Sequence, residues 1–405
     1  MLIGLNFMGE NFGDSEYGYF TYAGITPKTV SDPQILDLYE KGDYAAIYGL
    51  GHAMGERSSA DAYFALGTLY QLGLGVKKNP KEASRWFEKA AFQDHAPAQY
   101  NLGVNYIEQN SDTKLIEAGA NWIKIAARQG LVEAVFAMSV LYHHGVGVEK
   151  NEAEHAKWLE MAIAKDYARS HTFMADLLCK ENMPTGKDDF KLLADVVTYW
   201  YEKGAKGGDS LAQTRLASMY YGGEASQIDY PKAYELSTLA SAKGVPEALH
   251  IRSRLLRSGL GCEKDEAEAE KCVRQAAWKG YAPAQFDLGQ AYAEGLLGLE
   301  QDYAMGMAWL QKAAVKGNRD ALRLIGKLCL GGHGGENGNF LAMLCVEKAA
   351  SLGDAESQFL LGKMYASGLG VRPNRNNAMY WLENSANQGN EDAREMLDRL
   401  REDRL

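Results

Sequence analysis

The chain has 405 residues, 46% of them hydrophobic, with 43 lysines and arginines against 53 aspartates and glutamates, for a net charge of −10. No long basic run breaks this acidic balance, which disfavours nucleic acid as a partner. No apolar stretch approaches the roughly 20 residues of a bilayer-spanning helix.

The chain opens with an apolar stretch, Met1 to Asn11, that lacks a basic leader region and is followed closely by Asp14 and Glu16. That is a poor signal peptide, so a cytoplasmic location is expected, or a periplasmic one if a leader has been removed. Residues 1–31 are rich in glycine and aromatics, as in "EYGYFTYAG" from Glu16. They suit either a short hairpin packed on the first repeat or an arm that engages a partner. Residues 32–58 read as a degenerate leading helix pair.

From residue 59 to 389 one pattern of about three dozen residues recurs nine times. Its clearest copies begin "AQYNLGVNY" at Ala98, "AQFDLGQAY" at Ala284 and "SQFLLGKMY" at Ser357. One slot holds Gly67, Gly103, Gly289, Gly326 and Gly362, with Ser139, Asp176, Ala217 and Ser253 in the other copies. A fixed period in this range means stacked supersecondary units rather than a closed globule, which overrides the two or three domains that length alone suggests.

Within one unit, Ala98, Leu102 and Tyr106 fall four apart and share a helical stripe. A mid-helix glycine costs about 1 kcal/mol against alanine, so its recurrence predicts a helix–helix approach that any Cβ would obstruct. A glycine turn comes next, "GLGV" at Gly73 and Gly368 or "GVGV" at Gly145. The second helix starts with a cap, as at Asn79-Pro80, and stops at glycines such as Gly130, Gly244 and Gly389. Residues 390–405 alternate charge around Met396, Leu397 and Leu400, the pattern of a helix capping the last repeat.

Several departures stand out. Repeat two loses its glycine turn at "EQNSD" from Glu108, and repeat four inserts "KENMPTGKDDFKLLAD" after Cys179, expected to be a projecting loop. The glycine-dense "GGHGGENGN" from Gly331 has no preceding strand and no Lys-Ser/Thr, and Gly186-Lys187 runs into Asp188, so neither is a phosphate loop. His143-His144 reads as a surface turn rather than a metal site, since adjacent histidines diverge on a helix and show no neighbouring ligands. Neither HExxH nor GxSxG occurs. No cofactor, metal or enzymatic activity is expected. Cys179, Cys262, Cys272, Cys329 and Cys345 form no CxxC pair, and four of them replace core aromatics of other copies, so buried reduced thiols are expected.

The combination A-x-A-Q-x-x-L-G-x-x-Y-x-x-G-x-G-V, then A-x-x-W-x-x-K-A-A-x-x-G, resembles the Sel-like repeat, a class of tetratricopeptide-like α-solenoids. The resemblance implies an all-α, right-handed superhelix that binds proteins or peptides on a concave face lined by first helices. It also implies, by analogy with tetratricopeptide arrays, that side chains three before, one after and four after the glycine slot line that groove. The candidate partner-contacting residues are then Tyr100, Phe136, Phe173, Tyr221, His250, Arg254, Arg257, Phe286, Arg323, Lys327 and Lys363. The aromatics among them fit inter-repeat packing equally well. The basic cluster in an acidic chain suggests a partner segment carrying acidic residues. The expected function is a non-enzymatic scaffold or adaptor. The alternative is a bacterial immunity protein that neutralises a secreted, lipase-type effector. A monomer is expected, with a dimer through an open solenoid end as the other outcome.

Overall fold

The computed structural model describes residues 20, 22–53, 59–109, 112–181, 187–223 and 228–402. Among these residues the regular structure is helical, without strands. They fall into two compact units, Met1–Ala212 and Gln213–Leu405.

Each repeat is a pair of antiparallel helices, for example Ala60–Leu72 with Pro80–Ala91 and Ala282–Glu294 with Tyr303–Val315. Two local devices produce the pair. The first helix ends on a left-handed glycine (Gly73, Gly145, Gly259, Gly295 or Gly368, all with φ between 64° and 77°), where any Cβ would be strained. The second helix is then capped by Asn or Asp. Asn79, Asn151, Asp229, Asp265, Asp302 and Asn374 each accept a hydrogen bond from the amide three residues on. The same residues close the turn through their own N–H groups, as Asn79 does on Tyr70 O (2.8 Å) and Asn374 on Tyr365 O (2.8 Å).

Successive repeats are held together by the recurring glutamine of the "AQ" signature. Gln99, Gln285 and Gln358 are buried, and each donates from Nε2 to a carbonyl at the end of the preceding repeat's second helix, Ala91, Ala277 and Ala350 respectively. Each of those carbonyls also accepts the amide three residues on (Asp94, Gly280 and Gly353), so the glutamine adds a second hydrogen bond that ties the helix end to the next repeat. The core of the first unit runs through Phe64, Phe87, Leu102, Ile123, Phe136 and Leu141, all essentially inaccessible to water. In the second unit, Leu288 packs with Val273, and Leu310, Ile325, Val346 and Leu361 continue the apolar interior.

From Lys187 on, the insertion in repeat four is helical where a projecting loop was expected. Beyond residues 182–186, which lie outside the described part, the chain is helical from Lys187 to Lys206. The inserted residues therefore lengthen the second helix, whose Leu192 and Tyr199 are exposed. The glycine-dense stretch of repeat eight holds a single wide turn, Cys329–His333, with Gly332 at φ 92°. Helix Glu391–Glu402 buries Ala393 and Leu397 against Leu382, with polar side chains outward. The readings of residues 1–19 and of the "EQNSD" turn at 110–111 fall outside the described residues. No described helix is long and apolar enough to cross a membrane.

Candidate partner-binding site

The candidate residues divide by burial. Tyr100, Phe136 and Phe173 are at most 2% exposed. Phe136 and Phe173 meet edge to face, with centroids 5.6 Å apart across neighbouring repeats. These aromatics join repeats and have no surface to offer a partner, because the position three before the glycine slot turns toward the next repeat. His250 is buried too, with Nε2 2.8 Å from Asp287 on the first helix of the following repeat.

The basic residues are largely spoken for. Arg323 contacts Asp354 at 2.6 Å and Glu356 at 3.5 Å from the next repeat, besides Asp320 on its own helix. Lys327 pairs with the same Glu356. Arg215 and Glu247, 3.4 Å apart, make a comparable rung. The cluster that looked like an acidic-partner site is thus mainly an inter-repeat ladder of ion pairs. Phe286 is half-buried against the core of the second unit.

What remains exposed is narrower. Arg254 and Arg257 are exposed on helix Pro246–Ser258. The Arg254 guanidinium lies 5.4 Å from the ring centroid of half-buried Tyr221, on the preceding repeat's first helix. Lys363 is exposed beside Phe359, 5.2 Å from its ring. A guanidinium braced on an aromatic face and still open to water presents a planar fork suited to a carboxylate.

Residues outside the candidate set do hold a non-helical segment of chain. The segment from Phe20 through 22–31 lies on the first two repeats, burying Phe20, Ala23, Ile25 and Val30. Asn101 clamps its main chain: Oδ1 accepts from Ala23 N–H (2.8 Å) and Nδ2 donates to Ala23 O (2.9 Å). Tyr22 reaches Asn105 Oδ1 at 2.7 Å and Glu108 Oε2 at 2.6 Å, and burial followed by the Glu108 carboxylate raises its pKa strongly. His95 Nε2 meets Thr29 O at 2.9 Å, while Asp61 accepts from Ser31 N, Ser31 Oγ and Asp32 N at 2.7–2.9 Å. The signal was present: Asn101 and Asn105 are buried amides in slots that other repeats fill with Ala65 and Ala137, or Leu69 and Leu141.

The second helices carry exposed apolar side chains that the repeat pattern does not single out. Phe92, Trp278 and Val315 share one slot and are 71%, 69% and 86% exposed. Two of them stack edge-on against the next repeat's tryptophan, Phe92 on Trp122 and Trp278 on Trp309.

The Sel1 repeat model matches residues 60–95, 96–131, 132–167, 198–209, 210–245, 246–281, 282–318, 319–354 and 355–390. Among solved structures, a protective antigen present in uropathogenic Escherichia coli strains, described as displaying an SLR fold, is 26% identical with a TM-score of 0.62; the alignment covers 92% of this chain and 82% of that one. A Sel1 repeat protein from Oxalobacter formigenes is 28% identical with a TM-score of 0.53, covering 78% of this chain and 89% of that one. The chitin synthase regulator SKT5 of Saccharomyces cerevisiae is 25% identical over 75% of this chain and 40% of its own length. An uncharacterized protein of Neisseria meningitidis serogroup B is 27% identical over 51% of this chain and 42% of its own. The chain therefore spans less than half the length of these curated relatives. With the repeat model matched over most of its length, the chain belongs to the Sel1 repeat family.

Proposed function

We propose that this chain is a non-enzymatic scaffold that binds a protein segment bearing acidic residues on its first helices, around Tyr221, Arg254 and Arg257. Sel1 repeat proteins generally mediate protein–protein interaction, and the family is one of non-catalytic scaffolds. The observation that carries the reading is the Asn101 clamp on Ala23: a first helix already holds a non-helical polypeptide by its main chain. Main-chain hydrogen bonds supply affinity without regard to sequence, and side-chain contacts such as the Arg254–Tyr221 pair supply selectivity.

The test is to capture partners from native lysate with the wild type and with Arg254→Glu/Arg257→Glu, then measure association with the recovered partner at several salt concentrations. Exposed charges steer encounter, so reversing them is expected to slow association and flatten its salt dependence. Binding indifferent to the reversal would rule out this site. Recovery of a secreted toxic enzyme would make the protein an immunity factor rather than an adaptor.

A further inference from the structure

The turn between helices Val132–His144 and Glu152–Ala164 gathers three metal-ligating side chains that the sequence alone keeps apart. His143 comes from the last turn of the first helix. Glu152 and His155 sit three apart at the start of the second, on one helical face. One donor atom from each lies within 4.8 Å of the other two. We propose that His143, Glu152 and His155 bind a divalent transition-metal ion of the zinc class.

Three features of the site favour this. Nδ1 of His143 is buried and, among the described residues, makes no hydrogen bond, although Glu152 Oε2 lies 3.4 Å away. A buried imidazole nitrogen facing a carboxylate across such a gap is what a coordinated cation would satisfy. His155 is buried with its ring anchored, Nδ1 lying 3.0 Å from Ser139 O and 3.1 Å from Ser139 Oγ, the kind of outer contact that orients a coordinating imidazole. Lys150 Nζ, 3.1 Å from Glu152 Oε1, steadies the carboxylate while Oε2 faces His143.

The third repeat differs from the others here. His155 occupies the slot that other repeats fill with Ala83, Ala233, Ala269 and Ala378. The Phe173 ring stands edge-on to both His143 and His155, 5.9 Å from each, and gives the site an apolar wall. Two imidazoles and one carboxylate suit zinc, cobalt or nickel rather than the all-oxygen preference of calcium and magnesium. Bonds of about 2.0–2.1 Å place tetrahedral ligands roughly 3.4 Å apart. The 4.8 Å spread must therefore contract, and the Glu152 side chain, 59% exposed, is free to swing inward. Three protein ligands leave a fourth position for water. The ion would clasp the helix pair of repeat three.

The test titrates the full chain, stripped with chelator, with Co2+ and then Zn2+. The expected result is a visible tetrahedral cobalt band that saturates at one equivalent and is displaced by zinc. His143→Gln and Glu152→Gln, both at partly exposed positions, should each weaken cobalt binding at least tenfold while keeping the wild-type helical circular dichroism. His333→Gln, at a histidine of the second unit, should leave binding unchanged. A wild type without a zinc-displaceable band at stoichiometric cobalt overturns the proposal, as does unaltered affinity in either ligand variant. If one ligand variant loses its helical signal, the other decides.

Discussion

Gly103 and Gly119 face one another across the second repeat so closely that a Cβ on Gly103 would sit 2.6 Å from Gly119 O, and one on Gly119 2.7 Å from Gly103 O. The obstruction is backbone on both sides, so it cannot be relieved by turning a side chain. Gly103→Ala gains about 1 kcal/mol of helix propensity but forces the helices apart, an overpacking cost of about 1–3 kcal/mol. The net expectation is a lowered thermal midpoint. Gly49, inside helix Tyr44–Ala53 with nothing within 4 Å of an added Cβ, is the matched control, and Gly49→Ala should raise the midpoint. Thermal unfolding of both variants is the check, and equal shifts would contradict the close approach as the cause.

The clamp on Ala23 predicts a local effect. Asn101→Leu removes both main-chain hydrogen bonds to the segment and leaves Ala23 N–H and C=O without their partner. An unsatisfied buried group costs about 1–3 kcal/mol. Limited proteolysis should then cut within residues 22–31 faster than in wild type, while cleavage in the second unit is unchanged. Equal cutting would show that the apolar contacts of Ile25 and Val30 hold the segment without the amide.

The same segment should loosen in acid. Burial pushes the His95 pKa below its ordinary 6.5, outweighing Asp61 and the Thr29 carbonyl. A depressed pKa means that the unfolded state binds the proton first, so the contribution is complete above about pH 6.5 and is lost as pH falls through the folded-state value. Burial alone would raise Asp61, but hydrogen bonds from Ser31 and Asp32, with His95 beside them, hold it below the ordinary 3.8, so its contribution disappears only at still lower pH. Amide exchange of residues 22–31 should therefore quicken from pH 6.5 downward, and His95→Gln should flatten that dependence. An unchanged profile in the variant would exclude His95 as the cause.

Thiol chemistry follows burial. Desolvation pushes Cys272 and Cys345 up to about 11 and raises Cys329. Because the thiolate is the reactive form, these three should resist alkylation at pH 8 in the native chain, and all five should react in denaturant. Mass spectrometry of labelled peptides decides, and prompt native labelling of Cys272 would contradict the packing.

The repeat was legible because its marks are backbone requirements: a positive φ at Gly73 and Gly145, a cap at Asn79 and Asn151, and a missing Cβ at Gly103. The site was legible only in part. An offset along a helix gives a direction, but whether Tyr100 or Phe173 is covered depends on the repeat beside it. Arg323 looked available until the next repeat supplied Asp354 and Glu356. Asn101 could have been found by aligning slots, because a buried amide among alanines is out of place. The grouping of His143 with His155 depends on how the turn folds back, which composition at the turn does not reveal.

Cross-linking of the captured complex, followed by mass spectrometry, would locate a partner seated on the first helices beside Tyr221 and Arg254. Partner cross-links should concentrate on lysines of first helices, Lys327 and Lys363 among them, and Arg254→Glu/Arg257→Glu should abolish them. Cross-links concentrated instead on second-helix lysines such as Lys312, beside exposed Trp278 and Val315, and undiminished by the charge reversal, would contradict that seat.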